Sequence, residues 1–181
     1  MNVSNRPKGV LLLAFGGADS LEAVEPFMTN ILGGRKPPSV LLDKMLERYK
    51  LIGGKSPLPE TTRQQAELVQ GLLGEGYKVY VGMLHWHPFI KDAIAAAIQD
   101  GVEELVAVSL SPHFAAVTTG AYAKAIAKAQ EELSTSLEVK FSAGWFDHPL
   151  FIDGLNDQLQ QGLEFFAAEI RPQVEVILSA H

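Results

Sequence analysis

The sequence predicts an α/β protein built on a parallel four-stranded sheet with helices on both faces. Two observations carry this. Short apolar runs alternate along the chain with segments of helical periodicity, the pattern of linked βαβ units. The first run, Gly9-Val-Leu-Leu-Leu-Ala-Phe15, is apolar throughout. A half-exposed strand would alternate polar and apolar residues, so this one is expected to be covered on both faces.

The elements follow in order. Gly9–Phe15 ends on Gly16-Gly17, and Tyr77–Met83 is the second strand. Glu104–Leu110 is the third, stopped by Ser111-Pro112, and Leu137–Ala143 is the fourth. Asp19 or Ser20 can cap a first helix running through Leu32, with Glu22 in its first turn. Ser39 can cap a second over Val40–Leu51. Thr61–Leu73 places Ala66, Leu68, Val69 and Leu72 at helical spacing and stops near Gly74 and Gly76. Pro88–Asp100 carries Ile90, Ala93, Ile94, Ala97 and Ile98 on one side. Ala121–Leu133 and Pro149–Ala168 complete the helices. Arg35–Pro59 interrupts this rhythm, with paired glycines and prolines bracketing one helix, and an insertion of that length is often functional.

Val174–Ser179 reads as a fifth strand leading to Ala180 and His181. A strand that exposes a polar residue at its C-terminal end normally runs on into a loop and helix, and in open α/β sheets ligands bind at that end. The expected organisation is therefore an α/β domain over residues 1–170 and a linker strand over 171–181, leading into a second domain that is absent from the sequence.

Composition narrows the function. Hydrophobic residues make up 47% and charged residues 20% of the 181, which excludes disordered and collagen-like classes. A net charge of −6 argues against nucleic acid as a partner. With no cysteine, this chain can hold neither a disulfide nor a thiolate-ligated iron–sulfur cluster. The apolar run at 9–15 is too short to span a membrane, and no signal-peptide cleavage pattern follows it, so a cytoplasmic location is the default expectation. Neither Gly16-Gly17 nor Gly53-Gly54-Lys55-Ser56 completes a phosphate-loop motif.

Histidines are the obvious candidates for chemistry. His181 stands at a strand tip, a position that favours sites. His85 and His87 flank Trp86 after the second strand, where they can chelate a metal or cap the helix starting at Pro88. His113 follows Pro112 and reads equally as a hydrogen-bonded structural residue.

Several blocks resemble the ferrochelatase family, class II chelatases with two similar α/β halves. They are Leu13-Ala-Phe-Gly-Gly17, Gly34-Arg-Lys-Pro37, Arg48-Tyr-Lys-Leu-Ile-Gly-Gly-Lys-Ser-Pro-Leu58, Gly82-Met-Leu-His-Trp-His-Pro-Phe89, Leu110-Ser-Pro-His-Phe114 and Leu178-Ser-Ala-His181. Each block is weak alone, but their order and spacing match the family over nearly the whole chain. Within the family the water-soluble bacterial type, which often uses coproporphyrin, is the nearest resemblance. The resemblance implies a chelatase-like, Rossmann-type fold and insertion of ferrous iron into coproporphyrin III or protoporphyrin IX, with release of two protons. Iron and porphyrin are then the substrates, no further cofactor is required, and the missing C-terminal half is expected as partner or continuation.

The same resemblance implies site residues. His181 becomes the catalytic base and metal ligand. Arg48, Tyr49, Ser56, Tyr122, Phe15 and His85 become porphyrin-binding residues, and a glutamate that completes the metal site belongs to the second half. Some relatives carry tyrosine at the position of Phe15 and arginine at that of Leu32, so a hydroxyl and a propionate contact are lost here. The chemistry suits these residue types. A neutral imidazole, with an ordinary pKa near ~6.5, can accept a pyrrole proton and ligate iron. Propionates want Arg, Ser or Tyr donors at the rim of an apolar cleft. The competing expectations are a sirohydrochlorin cobalt- or ferro-chelatase, a non-catalytic tetrapyrrole-binding domain, and an ordinary nucleotide-binding α/β domain.

Overall fold

The computed structural model describes residues 7–116, 118–142 and 144–179. The chain divides after Gly144 into two compact units. In the first, β1 (Lys8–Ala14), β2 (Tyr77–Met83), β3 (Glu104–Ser109) and β4 (Glu138–Phe141) form one sheet in the order β2-β1-β3-β4. All pairings are parallel, with Leu11 opposite Tyr80 on one side and Ala107 on the other. The expected parallel four-stranded sheet is therefore present.

Its two faces are covered by different helices. Leu11, Leu13, Leu105 and Ala107 point into a core with Ile90, Ile94 and Ala97 of α4 (Ile90–Gln99) and with Tyr122, Ile126 and Ala129 of α5 (Thr119–Glu132). These apolar spacings are helical, so one stripe of each helix meets the sheet. Strand residues of the opposite parity face the other way, where α3 (Leu58–Leu73) packs on β2 and β1. A second cluster lies beyond the C-terminal end of β1. It joins Val24, Phe27 and Met28 of α1 (Val24–Ile31) to Tyr49 of α2 (Ser39–Leu51) and to Trp86.

Several boundaries differ from expectation. The first helix begins at Val24, because Ser20 spends its hydroxyl on the turn ahead of it, accepting from Ala23 N–H at 3.2 Å. Its first-turn acid is Glu25 rather than Glu22. Ser39 is the first residue of α2 and makes no cap bond; Pro38, fixed in an extended conformation, sets the entry. The third helix starts earlier, at Leu58, with Pro59 in its first turn, where the missing N–H costs nothing.

The second unit contains α6 (Pro149–Leu163), where His148 accepts from Leu150 N–H at 3.3 Å, and a 3₁₀ turn at Arg171–Gln173. The helix stops short of Ala168: successive turns follow Leu163, and Arg171 Nε donates to the Phe166 carbonyl at 2.9 Å. Val174–Ser179, expected as a fifth strand, forms no strand. Apolar β-prone residues make a strand only where a neighbouring ladder accepts their backbone, and here Ile177 and Leu178 are exposed. Ala143, Ala180 and His181 lie outside the described residues, so the tip of that segment and its histidine do too. No helix among the described residues is long and apolar enough to cross a membrane.

Candidate functional site

In this strand order β1 lies between β2 and β3, and the chain leaves it first to one side and then to the other. The crevice at the carboxyl ends of these strands is where an open parallel sheet offers a ligand site. Three segments converge there: Phe15–Ala18 after β1, Leu84–Phe89 after β2 and Leu110–Phe114 after β3. The ladder continues past the strand ends and ties them together. Leu84 N–H donates to the Ala14 carbonyl at 3.0 Å, His85 N–H to Phe15 at 3.0 Å, and Leu110 N–H to Leu13 at 2.9 Å.

The turn after β1 depends on its glycines. Gly16 has φ +96°, a conformation L side chains rarely adopt, and a Cβ there would lie 2.9 Å from the Trp86 nitrogen. At Gly17 a Cβ would sit 2.4 Å from Ser56 Oγ. The close approach lets Ser56 N–H donate to the Ala18 carbonyl at 2.8 Å, while Ala18 N–H donates to the Tyr49 hydroxyl at 3.1 Å. The long insertion between β1 and β2 is thus bound to the β1 turn through both backbone groups of Ala18.

Phe15 and His85 meet at this mouth. Their rings are 4.6 Å apart and inclined by 61°. Phe15 also meets Phe27 edge to face at 6.4 Å, and Phe27 meets Trp86 at 6.2 Å. His87 lies between Trp86 and Phe89, at 5.4 and 4.4 Å. The result is a run of aromatic rings, part buried and part exposed, suited to a flat apolar ligand. Burial holds the His85 imidazole below its ordinary 6.5, and a hydrogen bond to the Asn30 backbone opposes this. A half-buried imidazole of this kind is neutral at neutral pH and able to accept a proton.

The other sequence-derived residues are distributed around this mouth. Ser56 lines a cleft of about 650 Å³ whose wall includes Lys55, Pro57, Pro59, Val81 and Met83; its hydroxyl accepts from Leu58 N–H at 3.2 Å. Arg48 is exposed in the last turn of α2, where a cation suits the helix end. Tyr49 is buried, and its hydroxyl serves Ala18. Tyr122 is 1% exposed within the α4–α5 core. Burial pushes its phenol up to about 12, with a Ser111 hydrogen bond opposing. His113 is exposed and, with Ser109, Ser111, Thr119 and Phe141, borders a smaller cleft of about 200 Å³ at the β3 and β4 ends.

Among the described residues no three His, Asp or Glu side chains gather closely enough to hold a metal. The sequence reading overlooked Asn30, whose amide donates to the His85 carbonyl at 3.1 Å across 55 positions of chain; nothing in residue spacing signals such a contact.

Comparison with known proteins bears on this geometry. The ferrochelatase family model matches residues 7–181. The chain belongs to the ferrochelatase family. It is 36% identical to a ferrochelatase of Deinococcus radiodurans, over 98% of this chain and 57% of that protein. It is 32% identical to one of Herpetosiphon aurantiacus, over 95% of this chain and 58% of the relative. With one of Aquifex aeolicus it shares 37% identity, over 87% of this chain and 55% of the relative. The chain thus spans little more than half the length of these ferrochelatases.

Proposed function

We propose that this chain supplies one wall of a porphyrin-metallating site, in a protein that inserts Fe²⁺ into coproporphyrin III or protoporphyrin IX and releases two protons, as a step of haem biosynthesis. The observation that carries the reading is the ferrochelatase family match over residues 7–181. The aromatic mouth at the carboxyl ends of β1 and β2 supports it, since it offers ring surfaces beside a neutral imidazole.

In this reading His181 is the base and iron ligand. The two pyrrole N–H groups must lose their protons as iron arrives, so a neutral imidazole that can take a proton or donate a lone pair to iron is suited to both tasks. Phe15 and His85 contact the macrocycle face and edge. Arg48 and Ser56 offer polar atoms to the propionates, Arg48 through the paired N–H groups that match a carboxylate. Tyr49 and Tyr122 act from beneath, because both are buried and the Tyr49 hydroxyl is engaged with the Ala18 N–H. Tyr49 holds the β1 turn in place, and Tyr122 supports the loop after β3.

A C-terminal half, as partner or as continuation of this chain, is proposed to supply a glutamate to the metal site. The incomplete coverage of the relatives supports this. Between the two porphyrins, the resemblance to the water-soluble bacterial type favours coproporphyrin, and with it a cytoplasmic location.

The test is iron insertion by the full-length protein with His181→Ala. Loss of metallation by more than about a hundredfold, the scale of a removed general base, is expected. Undiminished insertion would remove His181 from the site.

A further inference from the structure

We propose that Lys55 is a substrate-selecting residue: with the Ser56 hydroxyl it pairs with one carboxylate arm of the porphyrin in the cleft beside the aromatic mouth, a role that deepens the chelatase reading above and rests on it. Lys55 belongs to Gly53-Gly54-Lys55-Ser56, which completes no phosphate-loop motif. The fold nevertheless brings both of its polar side chains to one cavity. Lys55 and Ser56 line the cleft of about 650 Å³, with Val81 and Met83 of β2 and Pro88 among its apolar walls. Pro88 follows His87 directly, so the cleft opens beside the segment that carries the imidazoles of the mouth.

Bonding around the cleft leaves these two groups available. Its charged border is Asp19, Lys55, Glu60 and Arg63. Arg63 is taken: Nε and Nη2 donate to Glu60 at 3.0 and 2.6 Å, and Nη1 donates to Glu67. Glu60 also accepts from the Gln64 amide at 2.7 Å. Lys55 closes no hydrogen bond or ion pair among the described residues, and its charge reaches Glu60 only through space. Ser56 Oγ accepts from Leu58 N–H at 3.2 Å, which fixes the oxygen and leaves the hydroxyl proton to donate. Both residues stand at the N-terminal end of α3, where the helix dipole favours an anion. An ammonium and a hydroxyl on adjacent residues form a donor pair for a carboxylate, and the apolar walls exclude water that would weaken the pairing. Asp19, on the same rim, repels a second anion. An uncharged arm gains nothing from Lys55, so the pairing selects for charge.

The test is porphyrin binding by the full-length protein, without iron, for coproporphyrin III and for its tetra-amide, in which all four arms are uncharged. Lys55→Met should raise the Kd for coproporphyrin III by about tenfold, the scale of one hydrogen bond to a charged group, and leave that for the tetra-amide within about twofold. Lys55→Arg should keep the affinity for coproporphyrin III, and Asp19→Asn should not weaken it. An unchanged Kd in Lys55→Met would overturn the proposal. So would equal losses for both porphyrins, or a matching loss in Asp19→Asn, either of which marks a disturbed rim instead of a charge pair. Failure of the unaltered protein to bind either porphyrin would remove the chelatase reading itself, whereas binding of coproporphyrin III with no dependence on Lys55 would remove only the role of Lys55.

Discussion

Gly17 concentrates the residue-scale physics of the site. Its φ is ordinary, so its requirement is steric and comes from Ser56, which lies 39 positions later in the chain. Gly17→Ala should destabilise the fold by about 2 kcal/mol, the usual cost of forcing extra volume into a packed contact. Adding Ser56→Gly should recover much of that loss, because the atoms in conflict are Ser56 Oγ and Cβ. Urea unfolding of the two single variants and the double variant measures the coupling. The sequence shows a Gly-Gly pair ending a strand, which reads as a turn; the partner that makes the second glycine necessary is visible only in the fold. Tyr49 and Tyr122 carry a related lesson. The family resemblance groups them with the porphyrin residues, yet both side chains are buried, and the Tyr49 hydroxyl accepts from the Ala18 N–H. A tyrosine in a motif looks the same whether its hydroxyl faces a ligand or a backbone amide.

At the scale of elements, β2 shows how an exposed edge is closed. It is an outer strand of the sheet, so one side of its backbone lacks a neighbour. Gln70, near the end of α3, supplies a substitute. Its amide donates to the Tyr77 carbonyl and accepts from Val79 N–H, both at 2.9 Å, as the backbone of an adjoining strand would. The same amide reaches the Gly74 carbonyl at 3.2 Å. Gln130 repeats half of the device before β4, donating to the Leu137 carbonyl at 2.9 Å. Gln70→Ala should lower hydrogen-exchange protection at the Val79 amide by about tenfold, the equivalent of one hydrogen bond, and leave Leu12 in β1 largely unchanged. Equal loss at both sites would mean that Gln70 acts on global stability instead. Strand and helix positions were legible because apolar periodicity is local. The helix starts at Val24 and Leu58 were not, because they depend on where Ser20 and Pro59 direct their bonding capacity.

For the whole molecule, charge and burial set a pH dependence. Burial keeps the His85 pKa below 6.5 in the folded chain, so between that lowered value and 6.5 the unfolded chain binds more protons. Stability from this group is complete above pH 6.5 and declines as pH falls through that window. The carboxylates of Glu60, Asp100, Glu104 and Glu132 are held low by hydrogen bonds, to Arg63, Lys78, Lys140 and Lys91 first among them. Their contributions fade in the same direction, but at pH values below their ordinary range. These ion pairs are exposed and individually weak. Thermal unfolding followed from pH 7.5 to 5 should show a loss of stability that His85→Gln reduces. An unchanged slope in that variant would assign the effect to other groups.

The sequence by itself determined the α/β class, the parallel sheet, the four strand segments and the family to which the chain belongs. These rest on local periodicity and on ordered motifs, and both are written along the chain. Tertiary structure decided which residues meet at the mouth: Phe15 with His85, Asn30 with His85, and Gly17 with Ser56. It also withheld a strand from Val174–Ser179, whose apolar pattern alone had suggested one. The physical reason is common to all of these. A ring contact, a side-chain hydrogen bond to a distant carbonyl, a van der Waals collision and a β-ladder each require a partner distant in sequence, and residue types along a chain specify what can bond but not what arrives beside it.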